Sequence, residues 1–188
     1  MRELALHILD IAENSISAGA TRILISVEEN LQTDRLVIDI EDNGKGMDAE
    51  TLARITDPFI TSRTTRNVGL GIPFFKAAAE SCEGLFKIQS RPGKGTTVKA
   101  EFKRSHIDRM PLGDLAGTLQ TLIIGTSDVH WIFEYRINDE VFRFDDEPVK
   151  KILDGVPLSD PSVMRYIREA LRTGIDELRQ EANLPNTN

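Results

Sequence analysis

The chain has 188 residues with 23 basic and 30 acidic side chains, a formal charge of −7, and 40% of its residues are hydrophobic. That is the composition of one globular domain, or one with an appendage, able to bury a core. No run approaches ~18 consecutive apolar residues, which excludes a transmembrane helix. Acidic Asp10 and Glu13 come too early for a signal peptide. The single cysteine, Cys82, rules out an internal disulfide, and three histidines give no zinc-like cluster. The acidic balance argues against a general nucleic-acid binder. A cytoplasmic protein without membrane contact is expected.

The charge is uneven. Residues 1–104 hold 14 basic and 15 acidic side chains, whereas residues 105–188 hold 9 and 15, a net of −6. A near-neutral part leaves room for a local positive field, so phosphate chemistry is expected in the first hundred residues and a partner surface in the rest.

In chain order, Leu4, Leu6, Ile8, Ile11, Ala12 and Ser15 fall near helical spacing, predicting an amphipathic helix over 2–17 that Gly19 ends. Ile23, Ile25 and Val27 alternate with polar residues, and residues 36–40 form a second strand across the 30–34 turn, an antiparallel hairpin. A short helix follows over 48–56, then a loop over 57–69 rich in Thr, Ser and Arg. Residues 70–81 read as an apolar helix that tolerates Pro73 in its first turn. Strands over 85–88 and 96–102 flank an Arg91-Pro92-Gly93 turn. This order predicts an α+β fold, a two-layer α/β sandwich rather than a doubly wound parallel sheet. Beyond Arg104, helices are expected over 113–124, 147–153 and from Asp160-Pro161 to about residue 180, with a hairpin at 131–137 and 141–144. The division is then residues 1–104, a small α/β C-terminal extension over 105–182, and a disordered tail, 183–188.

Three clusters carry chemistry. Asp10 and Asn14, four apart, share a helix face, which is either a solvated surface or a hard-cation site for hydrated Mg²⁺. Asp42-Asn43-Gly44-Lys45-Gly46 follows a strand. It is either an ordinary Asn-Gly turn or a backbone brought close to a flat ligand, with Asp42 placed to accept from an exocyclic amine. Gly69-Leu70-Gly71 opens a helix whose free N–H groups suit phosphate, with Thr61, Ser62, Arg63, Thr64 and Arg66 upstream as further donors. Gly93-Lys94-Gly95-Thr96-Thr97 adds one more glycine turn entering a strand.

In this order the clusters resemble the ATP-binding domain of the GHKL superfamily, which includes gyrase, histidine kinases and mismatch-repair ATPases. Glu13-Asn14-Ser15 with Ala18-Gly19-Ala20-Thr21 is similar to the N-box. Asp42-x-Gly44-x-Gly46 is similar to the G1 box, Asp57-Pro58-Phe59 to the F-box, Gly69-Leu70-Gly71 to the G2 box, and Gly93-x-Gly95-Thr96-Thr97 to the last glycine box. The resemblance covers residues 1–104 and is nearest to compact, stand-alone histidine-kinase-like ATPases. It implies a Bergerat-type fold binding ATP and Mg²⁺. Asn14 would hold the metal, Asp42 and Thr97 would meet the adenine, and Gly44 and Gly46 would border the base. Gly69 and Gly71 would cradle phosphate, and Arg63 or Arg66 in a lid over 57–69 would reach the γ-phosphate. Hydrolysing members carry a glutamate general base where this chain has the shorter Asp10, so the reaction is left open. The chain is expected to be a kinase acting on a separate, unidentified protein partner or a slow ATPase. The alternative is a nucleotide-gated binding module of the anti-sigma or scaffold kind, with residues 105–182 as the partner surface. Ser105-His106 and Pro111-Leu112 resemble a phosphoacceptor box, or else form a polar linker. His7 and His130 are expected to pack, and Cys82 to be a small buried apolar group.

Overall fold

The computed structural model describes residues 3–56 and 70–184. In chain order the elements are α1 (Leu4–Ser17), β1 (Arg22–Asn30), β2 (Arg35–Asp42), α2 (Ala49–Thr56), α3 (Gly71–Glu80), β3 (Leu85–Arg91), β4 (Gly95–Lys103), α4 (Leu115–Gly125), β5 (His130–Ile137), β6 (Glu140–Asp145), α5 (Asp146–Ile152) and α6 (Pro161–Glu181). The strands make one mixed sheet in the order β3-β4-β2-β1-β5-β6. Each expected element is present, most of them longer by a residue or more at one end.

The period of two decides the faces. On β1, Ile23, Ile25 and Val27 are buried and meet a core that includes Leu4, Ile8 and Ile11 of α1 and Phe75 of α3. The intervening Leu24, Ser26 and Glu28 border a shallow depression on the opposite face, with Val37, Asp39, Glu41, Thr97 and Lys99. Gly19 has φ +74, as its place after α1 requires. Gly84 is a glycine for a different reason: a Cβ there would stand 1.8 Å from the Glu101 carbonyl oxygen.

Residues 105–182 do not form a body of their own. β5 pairs parallel with β1, placing Arg22 opposite His130 and Glu29 opposite Ile137, and a single hydrophobic cluster runs from Leu4 to Leu178. The segment leading into α4 also completes α1. The carbonyls of Pro111 and Leu112 accept from the Leu4 and Ala5 amides at 2.9 and 2.8 Å, two of the first-turn donors that a helix leaves unpaired. Asp160 caps α6 by accepting from the Ser162 amide, and Pro161 takes the position where a missing N–H costs nothing.

A buried charged cluster fastens the two halves. Glu29 of β1 accepts from the Tyr135 hydroxyl of β5 at 2.5 Å, from Arg179 of α6 at 2.9 Å and from Arg104 at 2.5 Å. Burial pushes the Glu29 carboxyl up, but the Tyr135 and Arg104 hydrogen bonds and the Arg179 and Arg104 charges outweigh it and hold it below the usual range. Of the expected tail, Asn183 and Leu184 continue from α6, the Leu184 amide donating to the Arg179 carbonyl at 2.8 Å. Residues 185–188 lie outside the described residues.

Candidate nucleotide site

Between α1, the β2 end, α2 and the start of α3 lies a cavity of about 430 Å³. Its wall is mostly apolar, with Ile11, Ala18, Met47, Ile55, Ile72 and Val98, and carries a few polar groups, among them Asn14, Ser15, Asp42, Lys45 and Thr96. Such a lining suits a flat apolar ligand oriented by a few hydrogen bonds.

Asp42 ends β2 with only 7% of its surface exposed. Oδ1 accepts from the Gly44 amide at 2.8 Å and the Thr96 amide at 3.3 Å, and Oδ2 accepts from the Ser15 hydroxyl at 2.8 Å. A carboxylate held by three donors is fixed in direction, yet Oδ2 keeps a lone pair free for a ligand N–H. Gly44 approaches so closely that a Cβ would lie 3.0 Å from Ala18. Gly46, at φ +64, has its Cβ position 2.0 Å from the Arg91 carbonyl, so only glycine fits there. Asn43 turns away from the cavity. Its Oδ1 accepts from the Thr21 and Arg22 amides, which tie the β2 end to the β1 start.

The other end of the cavity is set by α1 against α3. A Cβ on Gly71 would stand 2.8 Å from the Asp10 Cβ, which places Asp10 at the N-terminus of α3. Burial raises the Asp10 carboxyl above its ordinary value. One turn further, His7 stacks on Phe75 with ring centroids 5.2 Å apart, only 2% exposed. Burial lowers its imidazole to about 4, so it is neutral at pH 7.

The expected residues are therefore brought together in part. Asn14, Asp42 and Gly46 line the cavity, Gly44 contacts Asp42, and Asp10 touches Gly71. Thr97 is a correction: along β4 its neighbour Thr96 faces the cavity, and Thr97 borders the opposite face of the sheet beside Lys99. The glycine turn fixes the start of β4 but not which of two adjacent threonines points inward. Ser15, which the sequence marks by its helical spacing and its place in a box, is a direct partner of Asp42. Arg63, Arg66, Gly69 and the lid over 57–69 lie outside the described residues.

His106 lies three residues beyond the far end of β4, a strand that runs roughly 23 Å from Thr96 to Lys103. Its Nδ1 accepts from the Asp108 amide at 3.2 Å. His130 is hydrogen-bonded to Asp145 at 2.9 Å, next to buried Asp146. The Lys150 ammonium, 2.7 Å from Asp146 Oδ2, already supplies a cation there.

Residues 2–106 match the family model described as histidine kinase-, DNA gyrase B- and HSP90-like ATPase. The chain belongs to this family. Among its relatives, the sensor protein kinase FleS of Pseudomonas aeruginosa is 40% identical over 89 residues, 47% of this chain and 22% of that protein. A putative sensor protein of Shewanella frigidimarina is 32% identical over 103 residues, 54% of this chain and 16% of that one. The chain thus spans less than a quarter of these relatives. In fold it is similar to the N-terminal domain of a DNA repair protein, with a TM-score of 0.59 at 13% identity over 91% of this chain and 57% of that chain. The Aquifex aeolicus MutL ATPase domain complexed with ADP gives 0.50 at 13% identity, over 82% of this chain and 68% of that one. The GHKL fold is confirmed, and its likeness to the repair-protein domain reaches into the extension.

Proposed function

We propose that the cavity binds Mg-ATP, with the base at Asp42 and the phosphates at the N-terminus of α3, and that the chain transfers the γ-phosphate to a separate protein or, slowly, to water. The observation that carries this is the pair of polar ends along one helix. Ser15 of α1 holds the Asp42 carboxylate, while Asp10, five residues or about 7 Å earlier, stands against the α3 N-terminus. A carboxylate beside a helix N-terminus, with its proton affinity raised by burial, suits a group that takes a proton from an attacking hydroxyl or water. Asn14 lies between the two ends on the cavity wall. Its amide oxygen, with Asp10 one turn away, is an oxygen donor set of the kind that fits hydrated Mg²⁺, which would neutralise phosphate charge. The acceptor is another molecule, because His106 lies beyond the far end of β4, away from the cavity.

One observation favours a second reading, a nucleotide-gated binding module without turnover. The Pro111 and Leu112 carbonyls hold the first turn of α1, so the helix that would touch ATP is also attached to the extension. The test common to both is the fate of the γ-phosphate. Radiolabel on added protein or in free phosphate supports transfer, binding with neither supports the gated module, and no ATP binding at all removes both.

A further inference from the structure

The turns 43–46 and 91–95 touch one another. The Gly93 amide donates to the Lys45 carbonyl at 2.7 Å, the Lys94 amide donates to the Arg91 carbonyl at 3.0 Å, and Gly46 lies against Arg91. Arg22 adjoins them through Asn43, whose amide donates to the Arg22 carbonyl at 3.3 Å. Arg22, Lys45, Arg91 and Lys94 are all exposed, and none forms an ion pair among the described residues. Several other surface cations are paired, as in Arg35–Glu101, Lys103–Glu83, Arg143–Glu134 and Lys151–Glu147, while the exposed Lys87 and Arg165 stand apart from this corner without an ion pair among the described residues. Three carboxylates adjoin residues 43–46 in the sequence. Asp42 is buried and held by three donors, Asp48 accepts from the Thr51 amide, and Glu41 borders the opposite face beside Thr97. A protein of charge −7 thus gathers four exposed cations without an ion-pair partner among the described residues at one corner.

We propose that this corner is a docking surface for a carboxylate-rich segment of a partner protein, seated across the base end of the cavity. The placement relative to the nucleotide rests on the proposed function; the charge pattern does not. Ala18, whose carbonyl accepts from the Lys45 amide at 2.9 Å, is eight residues along α1 from Asp10, about 12 Å. Phosphates bound at the α3 N-terminus therefore do not need Arg91 or Lys94. A nucleic-acid duplex is disfavoured because the rest of the surface is acidic and the basic corner spans only adjoining turns. Carboxylates on a partner gain here without desolvating a buried charge, and the attraction sets encounter rate and orientation.

The test uses the full chain and a fluorescein-labelled deca-glutamate peptide, followed by anisotropy at low salt, with ATP titrated in parallel. The wild type is expected to bind the peptide, and Arg91→Glu with Lys94→Glu to weaken it on the order of tenfold while ATP affinity stays unchanged. Arg165→Glu with Lys87→Glu, which alter exposed cations outside the corner, are expected to leave peptide binding unchanged. The proposal is overturned if the wild type does not bind the peptide, if the two variants bind it alike, or if a DNA duplex outcompetes it at the corner. A parallel fall in ATP affinity would assign the corner to nucleotide phosphates instead, again overturning it. Absence of ATP binding by the wild type, with peptide binding intact, would count against the proposed function and not against the docking surface.

Discussion

Asp10 and Gly71 are in contact with no room for a methyl group between them: a Cβ on Gly71 would stand 2.8 Å from the Asp10 Cβ and 3.1 Å from its Oδ2. Gly71→Ala must therefore push the first turn of α3 away from α1. Overpacking of this kind costs about 1–3 kcal/mol of stability. Because the displaced turn is the proposed phosphate cradle, affinity for ATP should fall while affinity for adenosine changes little. Thermal unfolding and calorimetric titration of the variant check the two parts separately.

At the other end, Asp42→Asn and Ser15→Ala should both weaken ATP. The amide presents an N–H where the ligand amine needs an acceptor, so the expected loss is about 1–3 kcal/mol. Ser15→Ala leaves the carboxylate in place with two donors instead of three, and a smaller loss is expected. Calorimetry showing unchanged affinity in Asp42→Asn would take this residue out of the site.

His7 makes a prediction about acid. Its folded value near 4 lies below the ordinary 6.5, so between these values the unfolded chain binds more protons than the folded one. Stability is then full above about pH 6.5 and is lost as pH falls toward 4, by up to roughly 3 kcal/mol. His7→Phe keeps a ring against Phe75 and removes the titration. Urea unfolding at pH 7 and pH 4.5 should show a smaller acid loss in the variant than in the wild type. An identical loss in both would place the acid sensitivity in other groups.

The extension should be inseparable from the rest. A fragment ending at residue 104 lacks β5, which pairs with β1, and the carbonyls that complete α1. It should be unfolded by circular dichroism. In the full chain, Arg179→Met leaves Glu29 buried beside fewer counter-charges, and breaking a buried pair costs about 3–5 kcal/mol. A folded, nucleotide-binding 1–104 fragment would contradict the single shared core.

These two halves show what was and was not legible in the sequence. Local patterns were readable because each rests on neighbours: the three- and four-residue spacing of α1, the alternation along β1, the glycines around Asp42. The parallel pairing of β1 with β5 was not, since Arg22 and His130 lie 108 residues apart and nothing local encodes their register. Nor was the Glu29–Arg179 contact, which joins residues 150 apart. Nor was the inward-facing threonine, since box spacing places Thr96 and Thr97 on a strand but does not say which of two adjacent side chains faces the cavity. Ser15 carried a readable signal, one residue past Asn14 on the same helix, but its role needed the Asp42 carboxylate beside it.

The central claim is that Asp10 acts on the reaction and Asp42 on binding. The most direct measurement is release or transfer of radiolabelled γ-phosphate by the wild type and by Asp10→Asn, with ATP affinity measured in the same preparations. Asp10→Asn should bind ATP nearly as well as the wild type and lose turnover by about 10²–10⁴-fold, the usual contribution of a general base. Full turnover in Asp10→Asn, with ATP affinity equally intact, would contradict it.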